Sequence, residues 1–512
     1  MKSAGKNQTL TYILLSMAFI AFNLITLSNL PPWIDEVMIL DTSYNAAVHG
    51  SWETTAWYRV VGQHPFSTYP PLYQMLATVW IWLFGSRLTT VRSMNLLFTF
   101  LLGVVCLRLI KHRGQKLTAW TVTLFTLLLW GTSEMAWMYR NGRPDMLCAL
   151  LFVFTIVVIE RYRQEKSTTT RLAVIFASAL LLCSGVQAAV CLCFLWLFFF
   201  LAMKGQRRET GRLLVLIVPG LSLGVLMVSL FMLAHGRFMA FASSIVQYSA
   251  TLSDIVLAVL PWLGKAFGFS ATLYTQKLQE LNMESNLCDR LTTIIAYRSF
   301  VVLSVAALVA YASCFRNSLK ELMNDHGFLL LLSALYMPLV MTLAGRYPDY
   351  YRWMTFLPLI VSITFIAARN SWWCSVFTML AVLLSVVGIK AMLPEAHSCA
   401  STHPFWLSGD YENLRSFVQR QHLKASDAVV CPFSLFYEIK PVCDTCYFIG
   451  IFPTEFMGHI DYIIEASDGD AFNQPITNYV NKLKSNPSIE LNAIDSCEHP
   501  SLTLYQVRPK HE

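Results

Sequence analysis

The sequence predicts an α-helical polytopic membrane protein with about eleven transmembrane helices, followed by a soluble α/β domain at the carboxyl end. Of its 512 residues, 55% are hydrophobic and only 13% are charged, and the mean hydropathy is +0.50. A soluble protein carries about twice that share of charge. The apolar residues also fall in runs of about 20, the length that crosses a bilayer as a helix. This composition excludes a disordered chain and argues against a single soluble globule.

Each predicted span is a long apolar run with charged residues at its ends. The runs lie at about 10–30, 91–110, 117–138, 145–160, 172–185, 187–203, 213–234, 299–315, 327–344, 353–368 and 374–393. With a cytoplasmic amino terminus, the loops on the inner side are short and rich in Lys and Arg, which is the positive-inside distribution. An odd number of spans puts the carboxyl end on the outer side.

Two long outer loops are predicted to carry helices of their own. The loop at 31–90 contains an apolar stretch at 70–85, and the loop at 235–298 contains another at 253–269. Both stretches are too short to span a bilayer, so we expect interfacial helices.

The tail has a different character from the rest of the chain. Charge rises after about residue 394, and the short apolar patches DAVVCPF, IDYIIEA and LTLYQV are typical of buried strands, whereas YENLRSFVQRQHL is typical of an amphipathic helix. We therefore expect a transmembrane domain at 1–394 and a periplasmic α/β domain at 395–512.

Several cysteines are predicted to lie on the outer side of the membrane, where an oxidising compartment permits disulfides. Those in the tail are Cys399, Cys431, Cys443, Cys446 and Cys497. The spacing Cys443-x-x-Cys446 is compatible with a redox or metal pair, but the second half of a zinc motif is missing, so a structural disulfide is favoured. The connectivity stays open.

The first candidate site is the acidic pair Asp35-Glu36, just beyond the first span. Carboxylates at a membrane boundary cost desolvation energy unless they serve a purpose. Neighbouring side chains on a helix point about 100° apart, so one can face a cavity while the other braces against a basic group. The alternative is a solvated helix start, where acids favour the positive end of the dipole.

The second candidate is the loop Tyr139-Arg140-Asn141-Gly142-Arg143-Pro144-Asp145, between the third and fourth spans. Guanidinium groups suit phosphate because their planar forks match its oxygens. The alternative is a cluster whose charges satisfy one another. An outer loop so rich in Arg departs from the charge distribution of the other loops, which favours function. Glu134, near the outer end of the third span, is a further candidate or a partner of Arg140.

Two more outer segments complete the set of candidates. Between the ninth and tenth spans, Arg346, Tyr347 and Arg352 lie in GRYPDYYR, for which an aromatic belt with snorkelling Arg is the alternative. In the first outer loop, Arg59, His64 and Tyr69 precede a Pro-Pro pair, and His64 is otherwise explained as a hydrogen-bonded loop histidine.

Taken together, these segments resemble the membrane glycosyltransferases of the C superfamily (GT-C), in particular the protein O-mannosyltransferase and lipid A aminoarabinose transferase group. IDEVMILDTSYNAAVHGSW is similar to their first outer loop, Tyr69-Pro70-Pro71-Leu72 to their Pro-Pro-Leu segment, and Arg140 to Asp145 to their second outer loop. The resemblance covers about residues 10–370. One departure is that Ser67-Thr68-Tyr69 stands where the aminoarabinose transferases carry a Lys.

The resemblance implies transfer of a sugar from a polyprenyl-phosphate donor to an acceptor hydroxyl, with inversion, at the outer face of a bacterial inner membrane. It implies Asp35 as general base with Glu36 in support, and no demanded metal. The implied phosphate ligands are Arg140, Arg143, Arg346 and Arg352, the implied donor contacts are Arg59, His64 and Tyr69, and the implied lining of the sugar or acceptor site is Asp145 and Tyr347.

Two other functions stay open. A flippase for a lipid-linked glycan would share the membrane setting, although transporters gather polar groups at the midplane and are often built from repeated halves. A ligase or polymerase of the same superfamily would use a pyrophosphate-linked donor. The sequence offers no nucleotide-binding glycine motif and no basic tract for nucleic acid.

Overall fold

A computed structural model describes residues 2–27, 32, 34–54, 56, 69–202, 207–239, 241–242, 298–316, 318–343, 351–392, 410–447, 459–466, 474–498 and 501–509. The chain divides into two compact units. The first comprises Met1–Phe19, Phe98–Met138 and Pro144–Val387, and the second comprises Ile20–Leu97, Tyr139–Arg143 and Gly388–Glu512.

Helices dominate the described residues up to 392. They are α1 (Lys2–Thr26), α2 (Ile34–His49), α3 (Leu72–Phe84), α4 (Leu88–His112), α5 (Ala119–Gly131), α6 (Ser133–Tyr139), α7 (Asp145–Glu165), α8 (Thr168–Ser184), α9 (Val186–Ala202), α10 (Arg207–Ala234), α11 (Arg298–Cys314), α12 (Leu319–Asn324), α13 (His326–Leu343), α14 (Trp353–Arg369) and α15 (Ser371–Met392). Every one of the eleven predicted runs falls on a helix, and the run at 117–138 is divided between α5 and α6.

Among the residues that the structure describes, four helices are long enough and apolar enough to cross a membrane. These segments are Asn7–Thr26, Leu88–His112, Thr210–Ala234 and Ser371–Lys390. Seven further apolar helices are shorter, including α3, where an interfacial helix was predicted. The helix at 70–85 is confirmed. The number of spans and the interfacial position of α3 stay predictions, and the helix predicted at 253–269 lies outside the described residues.

Local sequence explains where several helices begin. The Thr118 hydroxyl accepts a hydrogen bond from the Thr121 amide, and the Thr121 hydroxyl accepts one from the Thr118 amide, so both ends of a capping box are present at α5. Ser167 caps α8 through the Thr170 amide, directly after Lys166 ends α7 in the left-handed conformation.

Within the first unit, α10 packs closely on α8 through two glycines four residues apart. A Cβ at Gly220 would lie 2.5 Å from the Ile175 carbonyl oxygen, and one at Gly224 would lie 2.8 Å from the Ala179 carbonyl oxygen. Small residues at this spacing let two membrane helices approach backbone to backbone.

The tail of the second unit forms a small sheet with helices. After α16 (Asp410–Arg420) the elements are β1 (Ala428–Val430), a 3-10 turn (Phe433–Leu435), α17 (Phe436–Ile439), β2 (Thr445–Tyr447), β3 (Tyr462–Ala466), α18 (Gln474–Lys484), β4 (Ile489–Cys497) and β5 (Leu502–Pro509). The strand order is β2-β1-β3-β5-β4. β1 is parallel to β2 and β3, whereas β5 is antiparallel to β3 and β4.

The predicted α/β composition of the tail is confirmed. The three predicted strand patches coincide with β1, β3 and most of β5, and the predicted amphipathic helix overlaps α16. α18 covers one face of the sheet, where Ile476 and Val480 pack against Val430 and Ile463. β2 and β4 were not predicted, because β2 has only three residues and β4 is largely solvent-accessible.

Candidate functional site

The acidic pair lies in the first turn of α2, in the second unit. The two carboxylates have different environments, as their divergent directions on a helix require. Glu36 is fully buried, whereas the Asp35 side chain keeps 21% of its surface accessible. Of these two carboxylates, Asp35 is therefore the one that a molecule from solvent can reach.

Glu36 is held by a bidentate ion pair with Arg92 of α4. The Nε and Nη2 atoms of Arg92 donate to the two carboxylate oxygens at 2.9 and 2.8 Å, and Nη1 donates to the Leu27 carbonyl at 2.8 Å. The Tyr437 hydroxyl donates to Oε1 at 3.2 Å. Both carboxylate oxygens of Glu36 accept charge-assisted hydrogen bonds, and these bonds link α2 to α4 and to the tail.

Asp35 faces the short loop after α6. Nη1 of Arg143 lies 3.5 Å from Oδ2 of Asp35, and the Arg143 side chain is buried. The structure thus brings together two candidate residues that are more than 100 positions apart in sequence, and it puts a guanidinium next to the accessible carboxylate.

The loop that carries Arg143 is fastened to α4. Nδ2 of Asn95 donates to the carbonyl oxygens of Asn141 and Arg143, at 2.5 and 2.9 Å, and the Arg143 amide donates to the Asn141 side chain at 3.1 Å. Buried carbonyls of an irregular loop need such partners. Helix α4 therefore positions both parts of the site. Its Arg92 holds Glu36, and its Asn95 holds the loop that carries Arg143.

Gly142 lets this loop touch α2. A Cβ at Gly142 would lie 2.6 Å from Cγ of Glu36 and 2.6 Å from Cδ1 of Leu40, closer than real Cβ atoms come. Glycine is required here by the close approach of backbone to side chain.

Arg140, in the same loop, has a different set of partners. Its Nη1 donates to Oδ1 of Asn23 at 2.6 Å and to the Thr26 hydroxyl at 2.8 Å, and Nη2 donates to the Thr26 carbonyl, at the end of α1. Burial lowers the pKa of Arg140 to about 10. The Arg140 guanidinium remains protonated near neutral pH. Together with Arg143, the loop therefore contributes two buried cations to the second unit.

A third acidic residue of α2, Asp41, anchors the tail. Its Oδ2 accepts from the Thr54 hydroxyl at 2.6 Å and from the Ala56 amide at 2.9 Å, and Nζ of Lys440 lies 3.5 Å from Oδ1. Asp41 and Lys440 are both fully buried.

The hydroxyl of Tyr437 stays protonated and therefore acts as a donor to Glu36. Burial is the larger cause that raises the pKa of Tyr437 well above its ordinary value, and the negative charge of Glu36 is the second.

Sequence reasoning missed four of these residues. Arg92 carried a usable signal, because an ionisable residue inside a predicted span is a functional candidate by default. Asp41 is about one and a half turns along α2 from the acidic pair. Tyr437 and Lys440 gave no local signal, because what they contact lies about 400 residues earlier in the chain.

The remaining candidates have the following places. Tyr69 precedes α3 in the second unit. In the first unit, Asp145 is the buried first residue of α7, the Arg352 guanidinium lies 4.5 Å from the Trp137 ring centroid, and Glu134 accepts a hydrogen bond from Ser299. Arg59, His64, Arg346 and Tyr347 lie outside the described residues. The functional roles of all the candidate residues stay predictions.

Cations rather than metal ligands characterise the described part of the site. Within the ranges that the structure describes, no group of three or more His, Cys, Asp or Glu residues is arranged to hold a metal ion. The second unit instead gathers three buried guanidinium groups, from Arg92, Arg140 and Arg143. A guanidinium beside an accessible carboxylate suits a reaction in which a phosphate leaves and a proton is taken up.

Comparison with known proteins gives matches among solved structures alone, since no family model and no curated protein matches the chain. The oligosaccharyltransferase of Archaeoglobus fulgidus, in its complex with Zn and sulfate, superposes with a TM-score of 0.50 at 10% identity, over 89% of this chain and 68% of that one. ArnT from Cupriavidus metallidurans superposes with a TM-score of 0.45 at 11% identity, over 98% of each chain, in the apo state. ArnT bound to undecaprenyl phosphate gives 0.41 at 12% identity, over 96% of this chain and 97% of that one.

Identities this low carry information on the fold alone, and a fold can host many functions. The helical architecture and the likeness to the oligosaccharyltransferase agree with the resemblance found in the sequence. The chain therefore shares the fold of this oligosaccharyltransferase, in agreement with the GT-C fold that its sequence predicted.

Proposed function

We propose that this protein is a membrane glycosyltransferase that moves a sugar from a polyprenyl-phosphate donor to an acceptor hydroxyl, with inversion. The observation that carries the proposal is the pair formed by Asp35 and Arg143. A carboxylate that remains accessible lies 3.5 Å from a buried guanidinium, while its neighbour Glu36 is fully engaged by Arg92 and Tyr437.

Asp35 is the general base in this proposal. A hydroxyl is a weak nucleophile, so a carboxylate within hydrogen-bond reach must take its proton as the new bond forms. The acceptor oxygen attacks the anomeric carbon, the bond from that carbon to the phosphate oxygen breaks, and the proton passes to Asp35. One displacement inverts the anomeric centre. Glu36 keeps α2 in place and takes no proton.

Arg143 stabilises the leaving group. Polyprenyl phosphate gains negative charge as the sugar departs, and a guanidinium in a dry site acts on such charge far more strongly than in water. One phosphate is a charge that guanidinium groups can balance, so this chemistry does not demand a metal.

The other candidate residues enter the proposal as ligands of the donor and acceptor. Arg140, Arg346 and Arg352 would contribute positive charge, and Arg59, His64 and Tyr69 would contact the donor, as the family resemblance implies. Asp145 and Tyr347 would line the sugar or acceptor site. The reaction would occur at the outer face of a bacterial inner membrane, with a cytoplasmic amino terminus and a periplasmic tail.

The test compares Asp35→Asn with the parent in proteoliposomes. The donors are synthetic undecaprenyl-phosphate monosaccharides with a labelled sugar, the acceptor is an envelope extract, and label is followed in lipid, glycan and protein fractions. We expect Asp35→Asn to lower transfer by about 100-fold or more, the usual contribution of a general base. Glu53→Gln, in the same unit and exposed, is the matched control and should leave transfer unchanged.

Three outcomes would contradict the proposal. Transfer by Asp35→Asn within a few-fold of the parent would remove Asp35 from the role of base. Movement of labelled lipid across the vesicle membrane without a new glycosidic bond would favour a flippase. Use of pyrophosphate-linked donors in place of monophosphate donors would favour a ligase or polymerase.

A further inference from the structure

Three cysteines of the tail are buried together beside the first two strands of the sheet. Cys431 directly follows β1, Cys446 lies in β2, and Cys443 precedes β2. β1 and β2 are parallel, and the Cys431 amide donates to the Tyr447 carbonyl at 3.0 Å. The Sγ atoms of Cys431 and Cys446 are 3.2 Å apart. A disulfide bond is about 2.05 Å long, so the two sulfurs need to approach by little more than about 1 Å.

The segment between these cysteines carries polar contacts from the tail to α2. Tyr437, in α17, donates to Glu36, and Lys440, directly after α17, forms the buried ion pair with Asp41. Residues 431–446 of the tail therefore contact two acidic residues of α2, Glu36 and Asp41.

We propose that Cys431 and Cys446 form a disulfide that closes the segment 431–446 and so holds Tyr437 and Lys440 in place against α2. The inference rests on the proposed outer location of the tail, because disulfides persist in oxidising compartments. A bond across this segment removes open conformations from the unfolded chain and keeps the two strand ends together.

The bond forms by exchange with a disulfide-bearing protein oxidant of the outer compartment. One cysteine thiolate attacks the oxidant's disulfide to give a mixed disulfide, and the second attacks that intermediate and releases the oxidant as a dithiol. The two cysteines lose two protons and two electrons, and the oxidant takes up the electrons. Burial raises the pKa of the Cys431 thiol well above its ordinary value, so the exchange belongs to the newly exported chain, before the segment is covered.

Cys443 is the competing partner. Its spacing of two residues from Cys446 favours a Cys443–Cys446 bond on sequence grounds alone, whereas the structure favours Cys431 through the short sulfur–sulfur distance. A digest before aspartate residues yields one peptide at 427–443, with Cys431 and Cys443, and another at 444–460, with Cys446. A bond from either cysteine to Cys446 joins the two peptides, and the cysteine of the first peptide that is alkylated is then the one outside the bond.

The experiment uses the full-length protein in its membrane. Cells are lysed in denaturant that contains N-ethylmaleimide so that buried free thiols are also blocked, and the purified protein is digested without reductant and analysed by mass spectrometry. We expect the two peptides to remain joined until reduction, with Cys443 blocked by the reagent. The link should persist in Cys443→Ser and disappear in Cys431→Ser.

Two results would contradict the proposed disulfide. Complete alkylation of all three cysteines in the parent protein would overturn the disulfide, and so would a link that is lost in Cys443→Ser and kept in Cys431→Ser. A reporter fused to the carboxyl end separates this failure from that of the proposed function. Reduced cysteines with an outer reporter would refute the disulfide alone, whereas a cytosolic reporter would refute the outer location as well.

Discussion

The hydroxyl of Tyr437 donates a hydrogen bond of 3.2 Å to Oε1 of Glu36, although 401 positions separate the two residues. Arg92 also donates to this carboxylate, so both the tail and α4 orient α2. Asp35 directly precedes Glu36 on that helix. The position of the proposed base therefore depends on contacts made by residues near both ends of the chain.

Tyr437→Phe tests whether the tail positions the site. The variant loses one buried hydrogen bond to a charged group, worth about 1.5–3 kcal/mol, but keeps the ring. We expect kcat to fall about tenfold or more with KM nearly unchanged, because Tyr437 does not touch the substrate in the proposed reaction. Tyr505→Phe, at a half-exposed hydroxyl of β5 that accepts from Lys484, is the matched control. Equal kinetics for the two variants would count against positioning by the tail.

Glu36→Gln tests the buried ion pair. It leaves the Arg92 charge without its carboxylate, a loss that costs about 3–5 kcal/mol in a buried site. We expect a marked fall in the unfolding temperature in detergent, and partial recovery when Arg92→Met is added. The exposed pair Arg161–Glu165 supplies the comparison, because Arg161→Gln there should cost less than about 1 kcal/mol. No recovery in the double variant would mean that the two side chains do not act as a pair.

Gly142→Ala tests the close approach of the Arg143 loop to α2. The added methyl would overlap Glu36 and Leu40 at 2.6 Å, so the loop must move, at a cost of about 1–3 kcal/mol. We expect lower transferase activity and a lower unfolding temperature. At Gly211, within α10, a new methyl meets only Phe200, at 3.9 Å, so Gly211→Ala should leave activity unchanged and should not lower the unfolding temperature. If the two alanine variants behave alike, the packing described at Gly142 is wrong.

The predicted orientation is tested with single introduced cysteines and a membrane-impermeant maleimide in intact cells with a permeabilised outer envelope. The loops at 108–116 and 161–171 should label only after the inner membrane is broken, because basic loops stay in the cytoplasm. The segment after β5 should label in intact cells. Labelling with the opposite pattern would invert the orientation and remove the periplasmic setting of the proposed reaction.

Local patterns in the sequence were sufficient for most of the secondary structure. Long apolar runs located most of the described helices before residue 392, and short apolar patches located β1, β3 and β5, because both signals depend on residues that are close in sequence. The acidic pair and the Arg-bearing loop were also found in this way, since ionisable residues beside apolar runs stand out without any knowledge of contacts.

The sequence by itself determined the membrane character of this chain, its helices and the residue types available for chemistry. Only the tertiary structure decided that Glu36 is the buried brace and Asp35 the accessible carboxylate, and that Arg92, Tyr437 and Lys440 are the residues that hold α2. The physical reason is distance along the chain. Pairings across 56 to 401 positions depend on how the helices and the sheet pack, and no local pattern records which distant side chain will meet a given carboxylate.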